Sequence, residues 1–201
     1  MKKILLFSLV LLAVYSLSAA GPSEEGAGGM KKVVMIIAQN DFRDEELLQP
    51  KKLLKENGIE VKVASTTLDY VAGMLGARVK PDMLVNDIKV EDFDAIIFVG
   101  GSGAEQYWDD PLAQSLAQGA VSSGRIVAAI CIAPVTLARA GILEGKRATV
   151  FSSEASLLTA KGAKYTGNPV EKDGNIITAS GPSAAEEFGE ELVKALKESR
   201  R

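Results

Sequence analysis

Three runs of continuously apolar residues constrain the fold more than anything else in this chain: VVMIIA at 33–38, AIIFV at 95–99 and VAAICIA at 127–133. A strand with one wet face alternates polar and apolar residues, whereas these runs suit strands covered on both faces. Between them lie segments whose apolar residues recur at helical spacing, such as 44–57 with Leu47, Leu48, Leu53 and Leu54. Strands alternating with amphipathic helices specify an α/β fold with a parallel sheet.

In chain order, the pattern predicts strands at 33–38, 60–65, 95–99 and 126–130, the last being the central strand. Helices are expected at 44–57, 111–123, 135–140, 154–160 and 183–197, with shorter strands at 148–151 and 164–166. Pro50 lies inside the first helical pattern, so that helix should kink there or begin nearer the proline. Residues 170–180 (VEKDGNIITAS) read as a hairpin through Asp173-Gly174, and Ser183 with Glu186 as a capping box for the last helix. Residues 66–92 show no clear period beyond β-prone pieces at 76–79 and 84–88.

The first residues read differently. A basic start (Lys2, Lys3), an apolar run at 4–15 and small residues Ser18 and Ala20 form a signal peptide over 1–20, followed by a flexible acidic linker over 21–29. Use of that signal means export to a periplasmic or extracellular space. Translation from Met30 would instead give a cytoplasmic domain spanning 30–198.

At 201 residues the chain suits one well-buried domain. A net charge of −3 gives no footprint for nucleic acid, which leaves small molecules or protein as partners. One cysteine forbids an intrachain disulfide, and the absence of histidine removes Ser-His-Asp and Cys-His dyads. With one cysteine and no histidine, no transition-metal site is expected, and the sequence calls for no cofactor.

The one cysteine, Cys131, falls where an apolar strand turns into the helix after Pro134. A side chain on such a turn stands at the C-terminal edge of a sheet beside unpaired N–H groups, whose partial positive charge favours thiolate. A free cysteine is as often a small buried hydrophobe, and this stretch alone leaves both readings open. Gly100-Gly101-Ser102-Gly103 follows another strand, but Gln106 replaces the last glycine of a dinucleotide fingerprint. Glycines here better serve to let backbone N–H groups face a reacting oxygen. Tyr107 and Trp108 just beyond read as partly buried packing rather than as a pocket or interface.

Four stretches together resemble the ThiJ/PfpI family: NDFRDEELLQP (40–50), FDAIIFVGG (93–101), VAAICIAPVTLARAGIL (127–143) and VEKDGNIITASGP (170–182). The resemblance implies a flavodoxin-like three-layer α/β/α sandwich with a mostly parallel central sheet. It also implies that Cys131 is the functional thiol, that Glu46 is the carboxylic acid facing it, and that the backbone N–H groups of Gly101 and Ile132 form the oxyanion hole. By motif register Glu46 is favoured over Glu45, and Asp44 and Glu45 read as a solvated acidic first turn. A carboxyl desolvated beside the thiol should keep its proton and donate to sulfur, its own pKa rising and that of the thiol falling. The family habit of dimerising implies a homodimer.

Departures matter as much. Peptidase-like members carry histidine where this chain has Ile132, and glyoxalase-like members have one near Phe151 or Ser152. Peptidase chemistry is therefore not expected. The leading expectation is a cysteine–carboxylate enzyme acting on a small electrophile such as a 2-oxoaldehyde or its adduct, glyoxalase-, deglycase- or hydratase-like. The alternative is a redox-sensing or stress-protective protein whose Cys131 meets an oxidant, and a chaperone-like dimer is a third.

Overall fold

The structure, a computed structural model, describes residues 29–199. The signal peptide expected over 1–20 and all but the last residue of the linker expected over 21–29 lie outside the described residues. The central sheet has seven strands: β1 (Lys32–Ile36), β3 (Glu60–Ser65), β6 (Met83–Leu84), β7 (Ala95–Phe98), β8 (Ile126–Ile130), β11 (Val170–Asp173) and β12 (Ile176–Ala179). Their spatial order is β11-β12-β8-β7-β1-β3-β6, and every neighbouring pair is parallel except the β11–β12 hairpin. The hairpin turns through Gly174 and Asn175, one residue later than the sequence suggested, with Gly174 at φ 65°.

Alternate residues along each buried strand feed opposite cores. Val34, Ile36, Ile96 and Phe98 pack under α2 (Pro111–Ser122), α3 (Pro134–Arg139) and α4 (Ala155–Ala160). Val33, Met35, Ala95 and Ile97 pack under α1 (Asp44–Glu56) and α5 (Ala185–Glu198). This is the three-layer sandwich expected, with both faces of the sheet dry.

Several local expectations are corrected. The middle strand is β7 rather than β8, because β7, β1, β3 and β6 lie on one side of β8 and only β11 and β12 on the other. The strand expected at 148–151 shrinks to β9 (Arg147–Ala148), which pairs with β10 (Lys164–Tyr165) outside the central sheet. Helix α1 begins at Asp44, where the leucine spacing places it, and runs on through Pro50 rather than beginning nearer to it. Pro50 and Leu53 are where α5 crosses: a Cβ at Gly189 would sit 2.7 Å from Leu53 Cδ1 and 3.0 Å from Pro50 Cα. No capping box forms at α5, because Ser183 is taken up by a 3₁₀ turn, Pro182–Ala184, and the helix starts at Ala185 with no side-chain cap. Residues 66–92 contribute to a small sheet in which β4 (Val71–Gly73) pairs β2 (Asn40–Phe42) and β5 (Arg78–Val79); β5 lies in the β-prone piece at 76–79, whereas β2 and β4 were not expected.

The topology fixes where a site can open. After β1 the chain builds β3 and β6 on one side, then returns to add β7, β8 and β12 on the other. The connection leaving β1 leads to α1 on one face, and that leaving β7 leads to α2 on the other. Their divergence leaves a crevice at the C-terminal ends of β1 and β7, the switch point where α/β sheets bind ligands.

Candidate active site

Cys131 is the residue immediately after β8, beside that crevice. Its backbone is left-handed, at φ 64°, a conformation costing a non-glycine residue about 1–2 kcal/mol. Two hydrogen bonds hold it there: its N–H donates to the Ala179 carbonyl (2.9 Å), and its carbonyl accepts from Phe151 N–H (2.8 Å). The thiol is buried, with 8% of the residue exposed. The elbow thus exists as tertiary geometry, supported by β12 on one side and the segment after β9 on the other.

Glu46 comes from the first turn of α1 and is fully buried, 0% exposed. Neither carboxyl oxygen makes a well-formed hydrogen bond; the Cys131 thiol and the Gly100 N–H lie close enough to favour the ionised carboxylate only in part. Burial dominates and pushes the Glu46 pKa up to about 8. The direction agrees with the expectation from the sequence. The thiol departs from it. Burial first, and then the negative charge of Glu46, push Cys131 up to about 12, although the Gly101 and Ile132 N–H groups both pull it down. The amides act as the elbow argument requires, but desolvation outweighs them, and the resting pair at neutral pH is protonated on both sides.

The three adjacent acids of α1 have three different surroundings. Asp44, also buried, accepts from Leu75 N–H (2.9 Å) and Ala77 N–H (2.7 Å) and so fixes the β4–β5 turn. Glu45 receives Arg43 in a two-point fork at 2.8 and 3.0 Å. That ion pair raises the Arg43 pKa. The reading of Asp44 and Glu45 as a solvated first turn is therefore corrected: Asp44 is consumed as a backbone acceptor and Glu45 as a partner for Arg43.

The glycine loop is explained by close packing. A Cβ at Gly100 would lie 2.5 Å from both Cys131 Cβ and Glu46 Oε2, so only glycine leaves room for the pair. Gly101, at φ 99°, packs its Cα against the 41–43 backbone, and Gly103 packs against the Asn40 carbonyl. Arg43 N–H donates to the Gly100 carbonyl (2.9 Å), which ties the two loops together. These contacts hold the Gly101 N–H beside the sulfur. The signal was present in the sequence as three glycines in four residues, but its reason is tertiary.

Above the thiol lies a cavity of about 260 Å³ lined by Arg43, Met74, Gly101, Cys131, Ile132 and Phe151, among others. Trp108, half-buried, donates from Nε1 to the Ile132 carbonyl (3.1 Å), while the Arg139 guanidinium lies 5.2 Å from its ring centre. Trp108 is thus packing with a positioning bond to the elbow. Tyr107 is buried, and its hydroxyl donates to the Ile37 carbonyl (2.9 Å). Among the described residues no group of three or more His, Cys, Asp or Glu is arranged to hold a metal ion.

Comparisons with known proteins agree with this architecture. The ThiJ/PfpI domain protein of Brachyspira murdochii superposes with a TM-score of 0.83 at 32% identity, over 86% of this chain and 100% of that one. Deglycase PH1704 of Pyrococcus horikoshii is 33% identical over 164 residues, 82% of this chain and 99% of the relative. The glutathione-independent glyoxalase DJR-1.2 of Caenorhabditis elegans is 30% identical over 167 residues, 83% of this chain and 89% of the relative. The model of the DJ-1/PfpI family matches residues 31–195, and with the thiol elbow, the buried acid and the sandwich in place the chain belongs to that family.

Proposed function

We propose that this protein is a cofactor-independent enzyme acting on reactive carbonyls, of the glyoxalase or deglycase kind, with Cys131 as nucleophile and Glu46 as its proton partner. The observation that carries the reading is the carboxyl of Glu46 sealed from water with the thiol as its facing partner. A buried acid without strong hydrogen bonds is costly to keep, and a pKa near neutrality suits proton transfer. Relatives named as deglycases and a glyoxalase support the class of reaction.

For a 2-oxoaldehyde the steps balance without an external oxidant. Ionised Glu46 takes the thiol proton as sulfur attacks the aldehyde carbon. An S–C bond forms, and the carbonyl oxygen, held by the Gly101 and Ile132 N–H groups, receives that proton. The same carboxylate then removes the hydrogen from the former aldehyde carbon and returns it to the neighbouring carbon, while the hydroxyl proton on the first oxygen passes to the oxygen of that neighbouring carbon. This leaves a thioester of a 2-hydroxy acid. Water cleaves the thioester, releasing the acid and the Cys131 thiol. Net, one water is added and one carbon is oxidised as its neighbour is reduced.

No imidazole is available, since the chain has no histidine, so Glu46 serves every proton transfer. The alternative, sensing of peroxide by Cys131, needs a thiolate at rest, and burial works against one. The test is loss of methylglyoxal with lactate formed in parallel, in the protein beside Cys131→Ser and Glu46→Gln. Turnover absent from both variants supports the pair; turnover retained by Cys131→Ser overturns it.

A further inference from the structure

The mouth of the cavity presents exposed apolar side chains. Met74 and Phe151 are large apolar side chains each 44% exposed, and both line the opening above Cys131. Half-buried Ile132 and Pro182 continue that surface. The Phe151 ring is held against Gly181, where a Cβ would lie 3.1 Å from its Cδ2, so the ring is seated rather than free. Charge at the mouth points the same way. Arg43 is the one cation among the lining residues, and its fork is already engaged by Glu45. Glu105, exposed on the rim, adds a carboxylate.

We propose that this mouth selects neutral electrophiles bearing an apolar or aromatic substituent, and disfavours anionic ones. In substrate terms, which rest on the reading of Cys131 and Glu46 given above, the preferred compounds are 2-oxoaldehydes with an aryl group or an alkyl group larger than methyl, rather than glyoxal, methylglyoxal or carboxylate-bearing carbonyls. A substituent seated on Phe151 and Met74 leaves water, while the reacting carbonyl reaches the sulfur below. Burying a phenyl group on such a surface is worth an order of magnitude or more in rate. An anion finds no unpaired cation at the mouth and meets the Glu105 carboxylate on its way in.

The mouth can be tested apart from the enzymatic reading, because Cys131 is the chain's one cysteine and intact mass reports its alkylation. Rate constants for phenacyl bromide, iodoacetamide and iodoacetate are each divided by that of glutathione under the same conditions. The normalised rate for phenacyl bromide should exceed that for iodoacetamide at least tenfold, and iodoacetate should fall below iodoacetamide at least threefold. Phe151→Ser keeps the backbone N–H that holds Cys131 and should cut the phenacyl preference at least fivefold. Met74→Ser, at an exposed position, gives the same reading should the first variant fold poorly. Glu105→Gln should raise the iodoacetate rate.

Normalised rates that are equal, or a phenacyl preference untouched in both mouth variants, overturn the proposal. In turnover, kcat/KM for phenylglyoxal should exceed that for methylglyoxal at least tenfold, and a ratio of one or less overturns the substrate class. No turnover of either compound with the alkylation preference intact would remove the enzymatic reading and leave the selectivity of the mouth standing.

Discussion

Glu46 and Cys131 meet across Gly100, whose missing side chain is the space both groups occupy. The acid rides on the first turn of α1 and the thiol on the turn after β8, so neither element alone carries the site. What joins them is the loop after β7, the middle strand of the sheet.

The pH dependence of thiol reactivity follows from that relationship. Below about 8 Glu46 holds its proton and cannot accept one from sulfur; above it the carboxylate can. Alkylation of Cys131 by iodoacetamide should therefore rise through a step near pH 8. In Glu46→Gln that step should vanish, and the thiol should ionise at lower pH because the neighbouring negative charge is gone. A pH series of alkylation rates read by mass spectrometry checks both.

Stability should carry the mark of the same carboxyl. Between pH 4.5, the ordinary value, and about 8 the folded protein retains a proton that the unfolded chain has released. Folding stability attributable to Glu46 is thus full below pH 4.5, falls as pH rises, and is lost by about pH 8. The limiting slope is about 1.4 kcal/mol per pH unit. Urea melts across this window should show the decline, and Glu46→Gln should flatten it.

Two glycine substitutions separate packing of the site from packing of the fold. Gly100→Ala places a methyl against Cys131 Cβ and Glu46 Oε2 and should abolish turnover as well as cost about 1–3 kcal/mol. Gly189→Ala drives α5 off Pro50 and Leu53 and should cost a similar amount with the thiol's pH profile retained. Melts and alkylation profiles of the two variants make the comparison.

Oxidation by peroxide should be slow. With burial holding the thiol protonated, Cys131 at pH 7 should gain oxygen no faster than free cysteine. Intact mass after a peroxide titration measures it, and rapid selective conversion to sulfinate would favour the sensing alternative.

The apolar runs made the strands of the sandwich legible because strands dry on both faces have no other composition. Cys131 was legible as an elbow because strand, cysteine and helix follow one another directly in the sequence. Glu46 was legible only through motif register: in DEE, at 44–46, nothing local says which acid turns inward, and two of the three are buried. Of the small β2-β4-β5 sheet only β5 was legible, inside the β-prone piece at 76–79, since strands of two or three residues have no period to read. The fall expected in the thiol pKa failed for a related reason. The Ile132 amide is a local property, but the Gly101 amide comes from the loop after β7, and the desolvation that outweighs both comes from the core in which Cys131 is buried.

The left-handed backbone of Cys131 has a consequence for how the molecule assembles. Its two hydrogen bonds come from Ala179 and Phe151, which precede it nowhere in the chain and are both made after it. During synthesis β8 can leave the ribosome, and the cysteine with it, before either clamp exists. The left-handed backbone of Cys131 is therefore expected to stay unclamped in a nascent chain until Phe151 and then β12 have been made and docked. Pulse labelling of Cys131 during refolding would time that closure.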